Sequence, residues 1–232
     1  MIIDVITIFP DMFKHLVSFG VLKEAFNKDL CELNIYDLRD FSLDKHRKVD
    51  DRPYGGGPGM VMLVQPLTSA IEHVTNNNRH SNIKNKKIIL MSPKGKRLKQ
   101  KHLKELAKME NLILLCGRYE GIDQRLGDIF EIENISIGDY ILTGGELPAM
   151  VLIDGVLRNI DGVLGKKGSL LRESFEDGLL DHPQYTRPRE FRGHKVPDIL
   201  LSGDHKLIEK WRKTASYDIT KKNRPDLFDK KD

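Results

Sequence analysis

Apolar residues in this chain come in short uninterrupted runs, separated by stretches with helical spacing. Ile2–Phe9 is the first such run, a strand that Pro10 closes, and Asp11 is placed to cap a short helix running towards Ser18. Leu30–Leu38 alternates, with Leu33 and Ile35 on one face, and reads as a second strand. A polar loop follows over Arg39–Met60, too long to be a mere connection. The pattern then predicts a helix over Pro66–Asn76, a loop over Asn76–Asn85, and a strand over Lys87–Met91 that stops at Ser92-Pro93. Leu98, Leu103, Leu106 and Ala107 have the spacing of a helix over Leu98–Met109. Asn111–Cys116 is a buried-type strand, Ile122–Ile129 a helix, Ile132–Ile137 a strand, and Glu146–Asn159 a helix with Leu147, Met150, Val151 and Ile153 on or near one face. Strands that alternate with helices and are apolar on both faces predict an α/β sheet with parallel pairing. From Asp161 to about Gly178 glycine and charge predominate, which suggests a flexible linker. Beyond it, Pro183, Pro188, Pro197 and a helical Asp204–Ala215 make a small, mostly helical unit. No internal repeat is present.

Composition narrows the class. At 232 residues, 39% hydrophobic and 31% charged, the chain has room for one sizeable domain with a small appendage. No stretch approaches eighteen consecutive apolar residues, so no membrane span is expected. The opening MIIDVITIFPDMF has no basic region before its apolar run, and reads as a strand rather than a leader. Cys31 and Cys116 both lie in apolar surroundings, so buried free thiols and a reducing, cytoplasmic compartment are expected. Net charge is +4, but nine Lys or Arg and no acidic residue fall between Lys84 and Lys104. The tail from Asp181 to Asp232 holds thirteen basic residues against nine acidic ones. Such segments suit a phosphate-backbone partner, or are a lysine-rich solvated surface.

Two stretches concentrate the chemistry: LLCGRYEGIDQR (Leu114–Arg125) and SIGDYILTGGELPAM (Ser136–Met150). Each is an apolar run that breaks into a glycine-containing loop leading to a helix. Side by side, two such loops form a small-molecule pocket with many exposed backbone groups, over which Tyr119 and Tyr140 can lie. Glu120, flanked by glycines, can accept from a guanine N1–H and exocyclic amine, or satisfy loop amides. Arg118, Arg125 and Arg158 are phosphate or carbonyl partners, or members of surface ion pairs. VDDRPYGGGPGM (Val49–Met60) has neither a P-loop ending nor a dinucleotide fingerprint. Its paired aspartates suit a base or a cation better than a phosphate, although its composition also fits a plain surface loop. Glu173 is placed as a general base on a segment that orders around substrate, or is a solvated charge. The histidines show no ligand spacing, so no protein metal site is inferred, and nothing supports a covalent nucleophile.

Taken together, DDRPYGGGPGM, CGRYEGIDQR, SIGDYILTGGELPAM, DGVLG, SFEDGLLDHPQYTRP and VPDILLSGDHKLIEKWR resemble the bacterial tRNA (guanine-N1)-methyltransferase family, in the family's order from Asp50 to Arg212. That family methylates the guanosine 3′ to the anticodon, at tRNA position 37. The resemblance implies a SPOUT-type α/β domain with a deep trefoil knot over residues 1–160, a linker over 161–178, and a helical tRNA-binding domain over 179–232. The last unit is shorter than the family's, which bears on its tRNA contact surface. A homodimer with active sites shared between subunits is also implied, and so is S-adenosylmethionine held bent in the knot loops. Its site would comprise Leu90, Ser92, Pro93, Gly117, Tyr119, Glu120, Gly121, Ser136, Ile137, Gly138, Asp139, Tyr140, Ile141, Leu142, Gly144, Gly145 and Pro148. Backbone amides at Ile137, Tyr140 and Leu142 would read the adenine edge. The resemblance further implies that Glu120 holds the guanine, that Arg158 polarises O6, and that Asp50, Pro58, Gly59 and Met60 touch the tRNA. Glu173 would be the base where the family usually has aspartate, which lengthens the side chain by about 1.5 Å. Participation of Mg²⁺ is not inferable from a protein site. The competing readings are a catalytically silent nucleotide- or RNA-binding relative, and a same-fold methyltransferase for another RNA position.

Overall fold

The computed structural model describes residues 1–18, 20–76, 83, 85–164 and 173–229. The chain divides into two compact units, Met1–Gly165 and Lys166–Asp232.

The first unit is built on five parallel strands in the order β2-β1-β6-β5-β7. They are β1 (Ile2–Thr7), β2 (Glu32–Asp37), β5 (Lys86–Arg97), β6 (Asn111–Cys116) and β7 (Ile132–Ser136). Two-residue strands β3 (Asp50–Asp51) and β4 (Val61–Met62) pair antiparallel beside them. Side chains alternate across the sheet. Ile3, Val5, Ile89, Met91, Leu112, Leu114 and Cys116 enter one core, while Ile6, Leu90, Ile113 and Leu115 enter another. The first core is covered by α1 (Gly20–Asn27), α3 (Gln100–Leu106) and α5 (Glu146–Leu157), the second by α2 (Val64–Asn76) and α4 (Arg125–Ile129). Central β6 is buried at every position, which is why its sequence is an unbroken apolar run. This is the α/β sheet that the alternation of strands and helices predicts.

One carboxylate is sunk into this sheet. Asp4 of β1 is fully buried. It accepts from Asn34 Nδ2 of β2 at 3.1 Å and from Asn111 Nδ2 of β6 at 2.6 Å, with the Tyr36 hydroxyl at 3.4 Å. A buried carboxyl group is tolerated when its polar atoms are met in this way.

Several expected elements differ. The helix from Asp11 towards Ser18 is only a 3₁₀ turn over Pro10–Phe13, and Asp11 caps nothing but pairs with Lys14 at 2.6 Å. Proline in the first turn suits that tight geometry, and the α-helix comes later, at Gly20–Asn27. The long loop opens with a 3₁₀ turn at Leu38–Phe41 and contains β3. The strand expected to stop at Met91 runs to Arg97, because its register against β7 shifts between Met91 and Lys96 and a second stretch of pairing follows. On α5 the apolar face is misassigned: Leu147 and Val151 are about half exposed, whereas Ala149, Leu152, Ile153 and Val156 are buried. A helix that is apolar nearly all round has no periodicity to choose its inner face. The expected loop over Asn76–Asn85 lies mostly outside the described residues, as does part of the stretch 161–178, although Val163 is buried in the first core.

The second unit is carried by α6 (His205–Asn223), longer than the predicted Asp204–Ala215. The Asp204 side chain caps it by accepting from the backbone N–H of Lys206 and Leu207. A two-residue hairpin, β8 (Glu190–Phe191) with β9 (His194–Lys195), precedes it. Thr220, fully buried on α6, accepts from Leu180 N at 2.9 Å, and the Trp211 ring centroid is 6.2 Å from those of His182 and Tyr185.

Candidate functional site

Three neighbouring parallel strands, β6, β5 and β7, end on the same edge of the sheet, and the segments leaving them surround a cleft of about 370 Å³. Its walls are the β5 irregularity at Ser92–Lys94, the loop from Gly117 to Gly121 after β6, and the loop from Ile137 to Gly145 after β7. The floor is the strand ends, Leu90, Ile135 and Ser136. Every residue of the expected cofactor set lines this cleft except Asp139, which faces away and pairs with Arg97. Gln124, Asn134 and Thr143 also line it; Gln124 and Thr143 belong to the two glycine-containing stretches but not to the residues that the resemblance assigns, and Asn134 lies on β7 outside both.

Backbone contact holds the walls together. Gly145 N donates to Gly117 O at 2.8 Å. A side chain at Gly145 would bring its Cβ within 2.8 Å of Cys116 Cα, so the approach of the two loops requires glycine. Ser136 Oγ donates to Gly138 O at 3.0 Å, tying the β7 loop to its own strand. Tyr140, Ile141 and Leu142 are exposed along one wall and give it an apolar surface.

The glycine-rich loop closes on the same place from outside. Met62 of β4 bridges to Ile122, Met62 N donates to Gly121 O at 2.9 Å, and Glu120 N donates to Met60 O at 3.0 Å. Gly59 and Met60, expected to touch substrate, therefore stand beside Glu120, and Asp50 beside Tyr119; neither these three nor Pro58 line the cleft. Tyr119 has a positive φ of 59° and is half exposed. Partial burial, and then the Asp50 carboxylate to which it hydrogen bonds, push its phenol above the ordinary range. Arg158 stands at the C-terminal end of α5, away from the cleft lining. Glu173 belongs to the second unit, half-buried in a turn beside Ser174, whose hydroxyl accepts from Asp181 N. Arg125 is taken up by Asp123, to which it donates at 2.6 and 2.9 Å, and this bond holds the Asp123 carboxyl below its usual range. Among the described residues no group of three or more His, Cys, Asp or Glu is placed to hold a metal ion.

A parallel sheet whose carboxyl ends open into one glycine-walled cleft defines an α/β protein that holds a nucleotide-sized ligand at the strand ends. The comparison with known proteins narrows that class to one family. The chain belongs to the tRNA (guanine-1)-methyltransferase TrmD family, whose profile matches residues 1–230. It is 54% identical to the tRNA (guanine-N(1)-)-methyltransferase of Caldanaerobacter subterraneus subsp. tengcongensis, over 99% of this chain and 92% of that one. The proteins of the same name from Clostridium tetani and Endomicrobium trichonymphae are each 50% identical to it, over 98% of this chain and 92% and 99% of theirs.

Proposed function

We infer that this protein transfers the methyl group of S-adenosylmethionine to N1 of the guanosine at tRNA position 37. The observation that carries the reading is Glu120 at the rim of the glycine-walled cleft, its backbone N–H donating to Met60 O and its side chain lying against Gly59, in a chain that matches the family along its length. The cleft suits a nucleoside with a short charged tail: about 370 Å³, polar backbone on one side and Tyr140, Ile141 and Leu142 on the other. Of the seventeen residues named from the sequence, the sixteen that line the cleft are the proposed contact surface. Bound there, S-adenosylmethionine supplies a methyl group on a sulfonium that needs only an aligned nucleophile.

Guanine N1 carries a proton at neutral pH and is a poor nucleophile until it is removed. Glu120 orients the base by accepting from its N–H groups, which is a positioning task. Glu173 takes the N1 proton, and Arg158 meets the negative charge that develops on O6. Asp50, Pro58, Gly59 and Met60 contact the anticodon loop, and the unit over 179–232 grips the tRNA backbone beyond a linker at 161–178. The same reading makes the loops after β5, β6 and β7 a trefoil knot and pairs two copies so that the sites are shared. Leu147 and Val151, exposed on α5, offer the apolar surface such pairing needs. A tRNA substrate and buried free thiols suit the cytoplasm; no helix among the described residues is long and apolar enough to cross a membrane.

The test is incubation with S-adenosylmethionine and a tRNA transcript carrying guanosine at position 37, followed by nucleoside mass spectrometry. The expected product is 1-methylguanosine, absent when that guanosine is replaced. Cofactor binding without methylation would favour a silent binder, and a different methylated nucleoside would move the reaction to another RNA position.

A further inference from the structure

Glu146, the first residue of α5, is 1% exposed, and both its carboxylate oxygens are engaged. Oε1 accepts from the Thr7 hydroxyl at 2.8 Å, and Oε2 accepts from Arg118 Nε at 2.9 Å. Arg118 reaches onward: its NH1 donates to the Thr143 carbonyl at 3.1 Å, and its guanidinium lies 4.4 Å from the centroid of the Phe9 ring. Thr7 in turn accepts from Phe9 N at 2.9 Å. The four partners come from the end of β1, the start of α5, the loop after β6 and the loop after β7. Arg118 and Thr143 both line the cleft. The guanidinium fits against the β7 loop only because residue 144 is glycine: a Cβ there would lie 2.1 Å from Arg118 Nε.

A buried ion pair adds little net stability over an apolar isostere, because desolvation offsets most of the attraction. What it does impose is geometry. The guanidinium is a rigid planar fork, so a carboxylate on one nitrogen and a carbonyl on another are held at a fixed separation and angle. Glu146 is itself placed by the helix that begins with it.

We propose that Glu146 is a positioning residue that acts through Arg118 to set the spacing of the two loops, and with it the width of the cleft in which S-adenosylmethionine sits. The proposal rests on the cofactor reading given above. It assigns no contact between Glu146 and the cofactor. Glutamine at 146 has one acceptor oxygen in place of two and turns an N–H₂ group towards either Thr7 or Arg118. Lysine at 118 keeps the charge and loses the fork.

The experiment is calorimetric titration of the full chain with S-adenosylhomocysteine, for wild type, Glu146→Gln, Arg118→Lys, the double variant and Thr7→Val, with thermal melting alongside. Each of Glu146→Gln and Arg118→Lys is expected to weaken binding on the order of tenfold, and the double variant no more than the worse single one, because both break one device. Thr7→Val, which removes the hydroxyl and leaves the Arg118 arm, is expected to lower the melting temperature while affinity stays within about twofold. Unchanged affinity in Glu146→Gln, additive losses in the double variant, or losses that track melting temperature through Thr7→Val as well would each overturn the proposal. Should Glu146→Gln fail to fold, Arg118→Lys decides alone, and unchanged affinity there overturns it. Absence of binding by wild type would overturn the cofactor reading and this proposal with it; wild-type binding with unaffected variants overturns only the positioning role.

Discussion

The Glu120 carboxylate lies directly across Gly59. A Cβ built on that glycine would come within 2.5 Å of Glu120 Oε1, and the backbone there has a φ of +84°. The Glu120 side chain must give way along its length, since a Cβ there would also lie 2.6 Å from its Cγ, and the positive φ adds local strain in the loop. Gly59→Ala is therefore expected to lower kcat/KM for tRNA on the order of a hundredfold, the loss that a displacement near 1 Å brings. Affinity for S-adenosylhomocysteine should change far less. Equal losses in both would place the damage in the cofactor cleft, not at the substrate rim.

Glu173→Gln removes the proposed base and keeps its size. Turnover should fall by at least about a hundredfold, as loss of a general base does, while S-adenosylhomocysteine still binds. Glu173→Asp should retain measurable methylation. Wild-type turnover in the glutamine variant would remove Glu173 from the mechanism.

Affinity for tRNA should depend steeply on salt. Lys94, Lys96, Arg97, Lys99, Lys101 and Lys104 crowd the end of β5 and the start of α3, and Lys94 also lines the cleft. If such residues meet phosphates, a plot of log Kd against log salt between 50 and 200 mM should have a slope of about 3 or more, close to one for each phosphate neutralised. Binding of S-adenosylhomocysteine over the same range should vary much less. A shallow tRNA slope would count against docking through the phosphate backbone.

The two thiols should be silent in the folded protein. Cys31 is 5% exposed and Cys116 2%. Burial, the largest influence, pushes the Cys31 thiol up to about 12 and holds Cys116 well above its ordinary value. The folded state therefore keeps protons that the unfolded state releases above about pH 8.5. Both groups contribute full stability below that pH and lose it progressively as pH rises towards the folded value. The urea midpoint should fall between pH 8 and pH 10.5, and an aromatic disulfide reagent should titrate both thiols in urea and neither in buffer at pH 8. Prompt reaction of a thiol in buffer would contradict its burial.

How much of this was legible depended on whether each feature is local. Asn111–Cys116 was bounded correctly because a strand covered on both faces is apolar nearly throughout, here from Leu112 to Cys116. The glycine loops announced a cleft because close backbone approach, as at Gly145, excludes side chains. The second half of β5 was hidden: its residues are Lys, Gly, Lys and Arg, and their pairing depends on a register shift that no strand pattern encodes. The inner face of α5 was hidden by uniform hydrophobicity. Glu146 and Arg118 were each visible, but not as a pair, since 28 residues separate them and Thr7 lies 139 residues from Glu146. Roles for Glu120, Arg158 and Glu173 came from resemblance to a family, where residue chemistry alone left Glu173 open and favoured a structural explanation for Glu120 and Arg158.

The buried carboxylate of Asp4 also bears on the order in which the protein can be made. One of its two shortest bonds goes to Asn111, a residue 107 positions later. While the chain is being synthesised, β1 emerges early and β2 soon joins one flank, but the other flank stays open until β6 is complete. Until then the strand carries a charged side chain that cannot be covered without cost. Pairing of that open flank with any segment other than β6 would bury Asp4 without the bond that Asn111 gives its second oxygen, so the carboxylate favours the one partner strand that can supply it.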